Sequence, residues 1–336
     1  MKRTVVAAAL MSAALVFALA GCSSSTSSSS SAASSSAGSS ASAAASSASA
    51  ASAESITFTD DLGNQVTVPA NPQRVVACMG SFADIWQLSG GTLVGAAEES
   101  FDDYGIDRDT VASIGGFSTP DLEAIIALEP DFVIMTGATA GRGGTDQTAL
   151  AESLAASNIP VAYFTVTTFD DYLRMLKVCT DITGNAEAYE QYGEGLKADI
   201  DAAIAKYGAD ADGKTVALMI TYSSGVRVQN SKTQTGAMLA DLGYENITDA
   251  NPSLLQDFSV EALVEADPDY ILVVPMGNNE EEAANALSSL TGSEAWNSLT
   301  AVNEGRFFTL DYDLYVSKPN ARWAEAYENL GALLQA

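Results

Sequence analysis

Glu123-Ala124-Ile125-Ile126-Ala127-Leu128-Glu129-Pro130-Asp131-Phe132-Val133-Ile134 lies without a gap on Glu261-Ala262-Leu263-Val264-Glu265-Ala266-Asp267-Pro268-Asp269-Tyr270-Ile271-Leu272, and the two segments share Glu, Ala, Pro and Asp in register. Each reads as a capped helix, a Pro-Asp turn and a buried strand. The proline stops the helix, and the aspartate satisfies the turn. Matching register in both copies points to a duplicated α/β half and not to two unrelated helix-strand units.

The surroundings of each copy repeat the alternation. Upstream of the first, 58–68 reads as a hairpin around Gly63-Asn64. Arg74-Val75-Val76-Ala77 is then a short buried strand, 82–88 a helix closed by Gly90-Gly91, and Leu93-Val94-Gly95-Ala96 a second strand. Thr119-Pro120-Asp121 is expected to cap the duplicated helix, with Pro120 in its first position. The strand 131–135 runs into a Gly-rich loop, followed by a helix over 147–157 and a strand over 161–164. After a helix over 169–182 and a break at Thr183-Gly184-Asn185, 186–207 reads as one longer helix. Beyond Gly213 the pattern restarts with a strand at 215–220, helices at 235–242 and 259–265, and a strand at 270–274. Strands separated by helices imply parallel sheets covered on both faces, here as two similar halves around one long helix.

The N-terminus says where such a chain works. Lys2 and Arg3 precede the apolar run Val5 to Ala20, which is too short for a comfortable membrane span and ends in Leu19-Ala20-Gly21-Cys22. Small residues directly before a cysteine resemble the bacterial lipobox, in which the thiol of Cys22 is lipidated before cleavage. The Ser/Ala tract that follows cannot bury enough apolar surface to offset its conformational entropy, so it reads as a flexible leash. The folded part is expected to start near Ile56.

Composition narrows the chemistry. Apolar content of 47% supports a substantial core. The formal charge of -28 disfavours nucleic acid as a partner, because phosphate neutralisation needs clustered Lys and Arg. The chain has no His, which excludes Ser-His-Asp and Cys-His catalysis, His-rich zinc or manganese sites and haem held by His. Cys78 and Cys179 read as a disulfide or as two buried thiols.

Asp60-Asp61-Leu62-Gly63-Asn64-Gln65-Val66-Thr67-Val68-Pro69, then Pro72-Gln73-Arg74-Val75-Val76, and both Glu...Pro-Asp units resemble the ABC-transporter substrate-binding proteins for iron siderophores, haem and vitamin B12. The resemblance covers essentially everything from Ile56 to the C-terminus. It implies an α/β fold of two Rossmann-like lobes with parallel sheets, bridged by a single long helix, with the ligand cleft between the lobes and little hinge closure. The implied division is a signal at 1–21, a tether at 22–55, lobes at 56–184 and 213–336, and the bridge at 185–212. The resemblance implies no enzymatic activity and no cofactor. The protein would be an extracytoplasmic monomer, lipid-anchored to the bacterial cell membrane, docking on a permease whose ATPase drives import. In this family one surface Glu on each lobe meets permease arginines, and the matching positions are Glu123 and Glu261.

The ligand is expected where loops leave the carboxyl ends of the strands. Those loops, or the residues just after them, hold Met79, Phe82, Arg142, Tyr222, Arg227, Tyr312, Tyr315, Lys318 and Arg322. The 15 Lys and Arg of the chain fall to 13 once Lys2 and Arg3 leave with the signal, so four cations at the cleft point to an anionic ligand. Arginine suits carboxylate or catecholate oxygens, and Tyr or Phe stacks on a flat chelate. A siderophore-like iron chelate fits best. The alternatives are cobalamin and haem, the latter with Tyr222, Tyr312 or Tyr315 as ligand. Asp311 and Asp313 offer hard oxygens for a bare metal, but no diagnostic spacing. A His-free extracellular hydrolase would need a Ser-Lys pair or paired carboxylates, for which no motif is present. A surface adhesion module would explain the anchor but not the duplicated halves.

Overall fold

β1 (Ser55–Thr59) and β2 (Gln65–Pro69) pair antiparallel, with Ser55 opposite Pro69 and Thr59 opposite Gln65. Asp60 builds the turn between them: one oxygen accepts from the Leu62 and Asn64 N–H groups at 3.1 and 2.8 Å, the other from the Tyr163 N–H at 3.1 Å. One buried carboxylate thus shapes the hairpin and ties it to the main sheet. The structure is a computed structural model and describes residues 54–137, 147–211, 213–222, 225–256, 258–276 and 280–335. The signal, Cys22 and nearly all of the tether lie outside the described residues. What is described belongs to one compact unit, Ser52–Ala336.

The first lobe is an all-parallel sheet. β3 (Val75–Ala77) starts it, β4 (Leu93–Ala96) and β5 (Ala112–Ser113) add on one side, and β6 (Phe132–Thr136) and β7 (Val161–Phe164) on the other, giving the order β5-β4-β3-β6-β7. The reversal of strand order between β3 and β6 is where an open α/β sheet leaves a crevice beyond its carboxyl ends. The second lobe repeats the plan. β8 (Thr215–Tyr222) is flanked by β10 (Glu245–Asn246) and β11 (Tyr270–Pro275), with β12 (Phe307–Thr309) beyond, all parallel. β9 (Gly225–Gln229) folds back antiparallel along β8, placing Arg227 opposite Ile220. Arg227 is therefore on a strand, not in the loop expected to leave the carboxyl end of the strand at 215–220.

The duplication extends to single hydrogen bonds. Helices Leu122–Ala127 and Val260–Ala266 are capped by the side chains of Asp121 and Ser259. The cap falls on Asp121 itself, so Pro120 precedes the helix instead of opening it. Both helices are followed by a non-glycine residue with positive φ, Glu129 at 44° and Asp267 at 36°, immediately before the shared proline. The shared aspartates then clamp the first strand of each lobe. Asp131 accepts from the Arg74 N–H at 2.9 Å, and Asp269 from the Thr215 N–H at 2.8 Å. Arg74 and Thr215 are equivalent, because Val75 pairs with Phe132 and Val216 with Tyr270.

The long helix is present but not uniform. From Ala186–Tyr189 it passes through a π-helical turn at Glu190–Gly195, which contains two glycines, into Leu196–Tyr207. Alternate strand residues face opposite sides, so Val75 and Ala77 join a core shared by both lobes, while Val76 and Cys78 join a cluster on the outer side of the first sheet. Cys179 belongs to the shared core, and both thiols are free. No helix among the described residues is long and apolar enough to cross a membrane.

The C-terminal helix Trp323–Leu333 returns across the bridge to the first lobe. Trp323 sets its ring edge-on to Phe169, 5.9 Å between centroids, and Glu328 accepts from the Tyr207 hydroxyl at 2.6 Å. Gly331 permits the approach, since a Cβ there would lie 2.3 Å from the Tyr207 ring. Gly331→Ala is expected to cost about 1–3 kcal/mol through overpacking, read as a lowered Tm. An unchanged Tm would mean that the two helices separate freely.

Candidate functional site

The loops at the carboxyl ends of the two sheets meet. On the first lobe, Met79 caps helix Gly80–Leu88 in extended conformation and is half-buried. Glu99 knits this edge together, one oxygen accepting from the Gly80 N–H and the other from the Phe117 N–H, both at 3.2 Å. Gln147 is fully buried; its amide nitrogen donates to the carbonyls of Cys78 (2.7 Å) and Phe117 (2.9 Å), and its oxygen accepts from the Thr136 N–H (2.9 Å). One side chain thus holds the ends of β3 and β6 and the loop after β5.

On the second lobe, Asp311 caps the short helix Tyr312–Tyr315, accepting from the N–H groups of Asp313 and Leu314. The chain then crosses to the first lobe. The Tyr104 hydroxyl lies 3.0 Å from Ser317 Oγ and accepts from the Lys318 N–H at 3.1 Å. Asn320, at φ 47° and 1% exposed, donates to the Ser81 carbonyl (3.0 Å) and to Asp84 (2.8 Å). Between these contacts is a cavity of about 240 Å³ lined by Asp84, Asp103 and Tyr104 from one lobe and Asp313, Lys318 and Arg322 from the other.

The junction is acidic. Burial raises the Asp103 carboxyl above its ordinary value, and the charges of Asp313 across the cleft and of Asp102 add to the effect. Burial likewise raises Asp84, opposed by its hydrogen bond from Asn320. The Tyr312 phenol is raised by burial and then by the charges of Asp103, Asp313 and Glu99. Lys318 as a residue is partly exposed, yet its ammonium is enclosed. Desolvation brings it down to about 8, resisted by the Asp171 carboxylate.

The expected ligand residues separate into groups. Tyr312, Lys318 and Arg322 come together at the interlobe junction. Arg322 already has a bidentate partner, its Nε and Nη2 donating to Glu325 at 2.7 and 2.9 Å. Tyr222 and Arg227 pair at the β8–β9 turn, with the exposed guanidinium 5.1 Å from the ring centroid and no carboxylate partner among the described residues. Phe82 is a correction: it faces the sheet, 1% exposed, edge-on to Phe164. Tyr315 is another; it is 5% exposed and donates its hydroxyl to the Ala326 carbonyl. Arg142 lies outside the described residues. Glu123 and Glu261 are both exposed at the second position of their helices. Glu99, Tyr104, Gln147 and Asn320 escape sequence reading because their partners are distant in the chain.

Residues 75–314 match the family described as Periplasmic binding protein. The chain is similar to the Fe(3+)-citrate-binding protein YfmC of Bacillus subtilis (strain 168), 24% identical over 271 residues that cover 79% of this chain and 81% of that protein. It is also similar to the cobalamin-binding protein of Halobacterium salinarum, 25% identical over 287 residues covering 82% and 74%. Its fold is that of the periplasmic catecholate-siderophore binding protein VctP from Vibrio cholerae, with a TM-score of 0.62 at 16% identity over 84% of this chain and 99% of that one.

Proposed function

Because this chain belongs to the periplasmic binding protein family and is a solute-binding protein for ABC import, not an enzyme, we propose that its solute is an anionic ferric chelate held between the lobes and handed to a permease. The observation that carries the charge assignment is Arg227: an exposed guanidinium seated on Tyr222 at the carboxyl edge of β8. A planar fork backed by an aromatic face suits carboxylate or catecholate oxygens on a flat complex. The similarity to a ferric-citrate-binding protein supports the same reading. Isothermal titration of the folded unit with ferric citrate, ferric enterobactin, haemin and cyanocobalamin tests it. Tightest binding of a ferric chelate is expected, and binding of cyanocobalamin alone would replace it with the corrinoid reading that the cobalamin-binding relative favours.

Glu123 and Glu261 are the proposed contacts to the permease, one on each lobe. Cys22 is the proposed lipid attachment, with the Ser/Ala tract as leash and the bacterial cell membrane as support. Cys22→Ser is expected to release the folded unit from membranes or to block its processing. Membrane retention of a processed Cys22→Ser protein, followed by fractionation and immunoblot, would reject the anchor.

A further inference from the structure

We infer that the second lobe holds a further site, for a small organic monocarboxylate, at the end of its sheet opposite the interlobe cleft and independent of the solute bound there. β8, β11 and β12 are parallel neighbours, and a charged or aromatic residue stands at the amino end of each: Lys214 just before β8, Tyr270 first in β11, Arg306 just before β12. With Glu304, Phe308 and Leu334 they line a cavity of about 570 Å³. Lys214 Nζ and Arg306 Cζ lie 5.8 and 5.4 Å from the centroid of the Tyr270 ring. That ring is fixed in turn, its hydroxyl donating to the Leu334 carbonyl at 2.9 Å and Tyr244 packing edge-on at 5.6 Å.

A lysine resting on a tyrosine is common by itself. The duplication shows what is unusual here. Phe132 is the counterpart of Tyr270, because it pairs with Val75 as Tyr270 pairs with Val216. Two rings pack edge-on against Phe132, Trp86 at 5.9 Å and Phe58 of the hairpin at 6.4 Å. Tyr270 has one such ring among the described residues, and instead of a second it has two cations beside a cavity. In a chain with 43 Asp and Glu against 15 Lys and Arg, a carboxylate partner is the ordinary state of a cation. Arg306 has one, its Nη1 2.5 Å from Glu304, while its Nε donates to the Asp269 carbonyl at 2.7 Å. Lys214 has neither an ion pair nor a side-chain hydrogen bond among the described residues, so its ammonium donors are available to a ligand. Two cations against one carboxylate leave the lining one positive charge in excess, which suits a monoanion. Phe308 and Leu334 supply an apolar wall for the body of that ligand, and the volume admits a single ring. The class is a monocarboxylate on a flat apolar body, of which benzoate is the simplest probe.

The test titrates benzoate and inorganic phosphate into the mature protein and follows backbone amide signals by NMR, with Tm measured alongside. In wild type, benzoate is expected to shift the amides of Lys214, Gly305 and Arg306 saturably, and phosphate to shift them far less. Lys214→Ala should weaken benzoate by about tenfold, the usual loss of a charge-assisted hydrogen bond. Its Tm should stay unchanged, since the hydrogen bonds of residue 214, to the Ala211 carbonyl and from the Glu245 N–H, belong to the backbone. Lys214→Arg should stay within about threefold of wild type, and Glu304→Gln should bind benzoate about threefold more tightly because the competing carboxylate is gone. Absence of saturable shifts in wild type would overturn the inference, as would equal benzoate affinity of wild type, Lys214→Ala and Glu304→Gln. Shifts confined to the interlobe cleft would overturn it too, and phosphate binding as tightly as benzoate would reject the apolar body of the ligand class.

Discussion

Cells expressing the double variant Glu123→Arg, Glu261→Arg are expected to lose uptake by about a hundredfold or more, while the purified variant keeps its ligand affinity. Both side chains are exposed, and neither forms an ion pair among the described residues, so the reversal breaks no internal contact. The local cost is confined to the helix dipole. An acidic side chain in the first turn contributes only about 0.3–1 kcal/mol, and Asp121 and Ser259 still cap the two helices. At a permease surface bearing arginines, the same change replaces attraction with like-charge repulsion at two points. Single variants should lose less, because one lobe still engages. Radiolabelled or fluorescent chelate uptake beside calorimetry on the isolated protein separates docking from binding, and wild-type uptake by the double variant would sink the assignment.

The two helices that carry Glu123 and Glu261 were legible because the unit they belong to is encoded locally. A cap, a helix, a proline and a β-branched run lie within about a dozen consecutive residues, and each acts on its neighbours through short-range sterics and hydrogen bonds. The parallel sheets followed from repeating that unit. The site was less legible. Phe82 follows the same strand end as Met79 within the first turn of the next helix, but side chains in a first helical turn point in different directions, and Phe82 turns onto the sheet against Phe164. Tyr315 is drawn inward by a carbonyl eleven residues later in the C-terminal helix. Glu99, Gln147 and Asn320 are polar residues in unremarkable sequence. Their roles depend on groups that approach only after both lobes have folded, as with Asn320 and the carbonyl of Ser81. Arg322, singled out by the scarcity of cations, lines the interlobe cavity with its guanidinium already paired to Glu325, whereas Arg227 has no carboxylate partner among the described residues.

That contrast separates Arg227 from Arg322 in binding. Arg227→Ala is expected to weaken an anionic ferric chelate by about thirtyfold or more, the usual loss when a desolvated charge-assisted hydrogen bond is removed. Arg322→Ala should change affinity by less than about threefold, since an exposed pair of this kind contributes little and its charge is already balanced. Tyr222→Leu should fall between them, removing the ring that supports the guanidinium while leaving the charge in place. Salt sharpens the distinction. If the ligand covers Arg227, its effect survives at high ionic strength, where contributions from open rim charges are screened over a few ångströms. The physical reason for a single dominant cation is the surrounding field. Asp103 and Asp313 both line the junction cavity and the chain carries a formal charge of -28, so an anion is repelled at long range and must be compensated at close range. Calorimetric titration of ferric enterobactin and ferric citrate at low and high salt reads both the affinity and its screening. Normal binding of either chelate by Arg227→Ala, together with a loss in Arg322→Ala, would reverse the assignment and move the anion site from the β8–β9 turn to the interlobe junction.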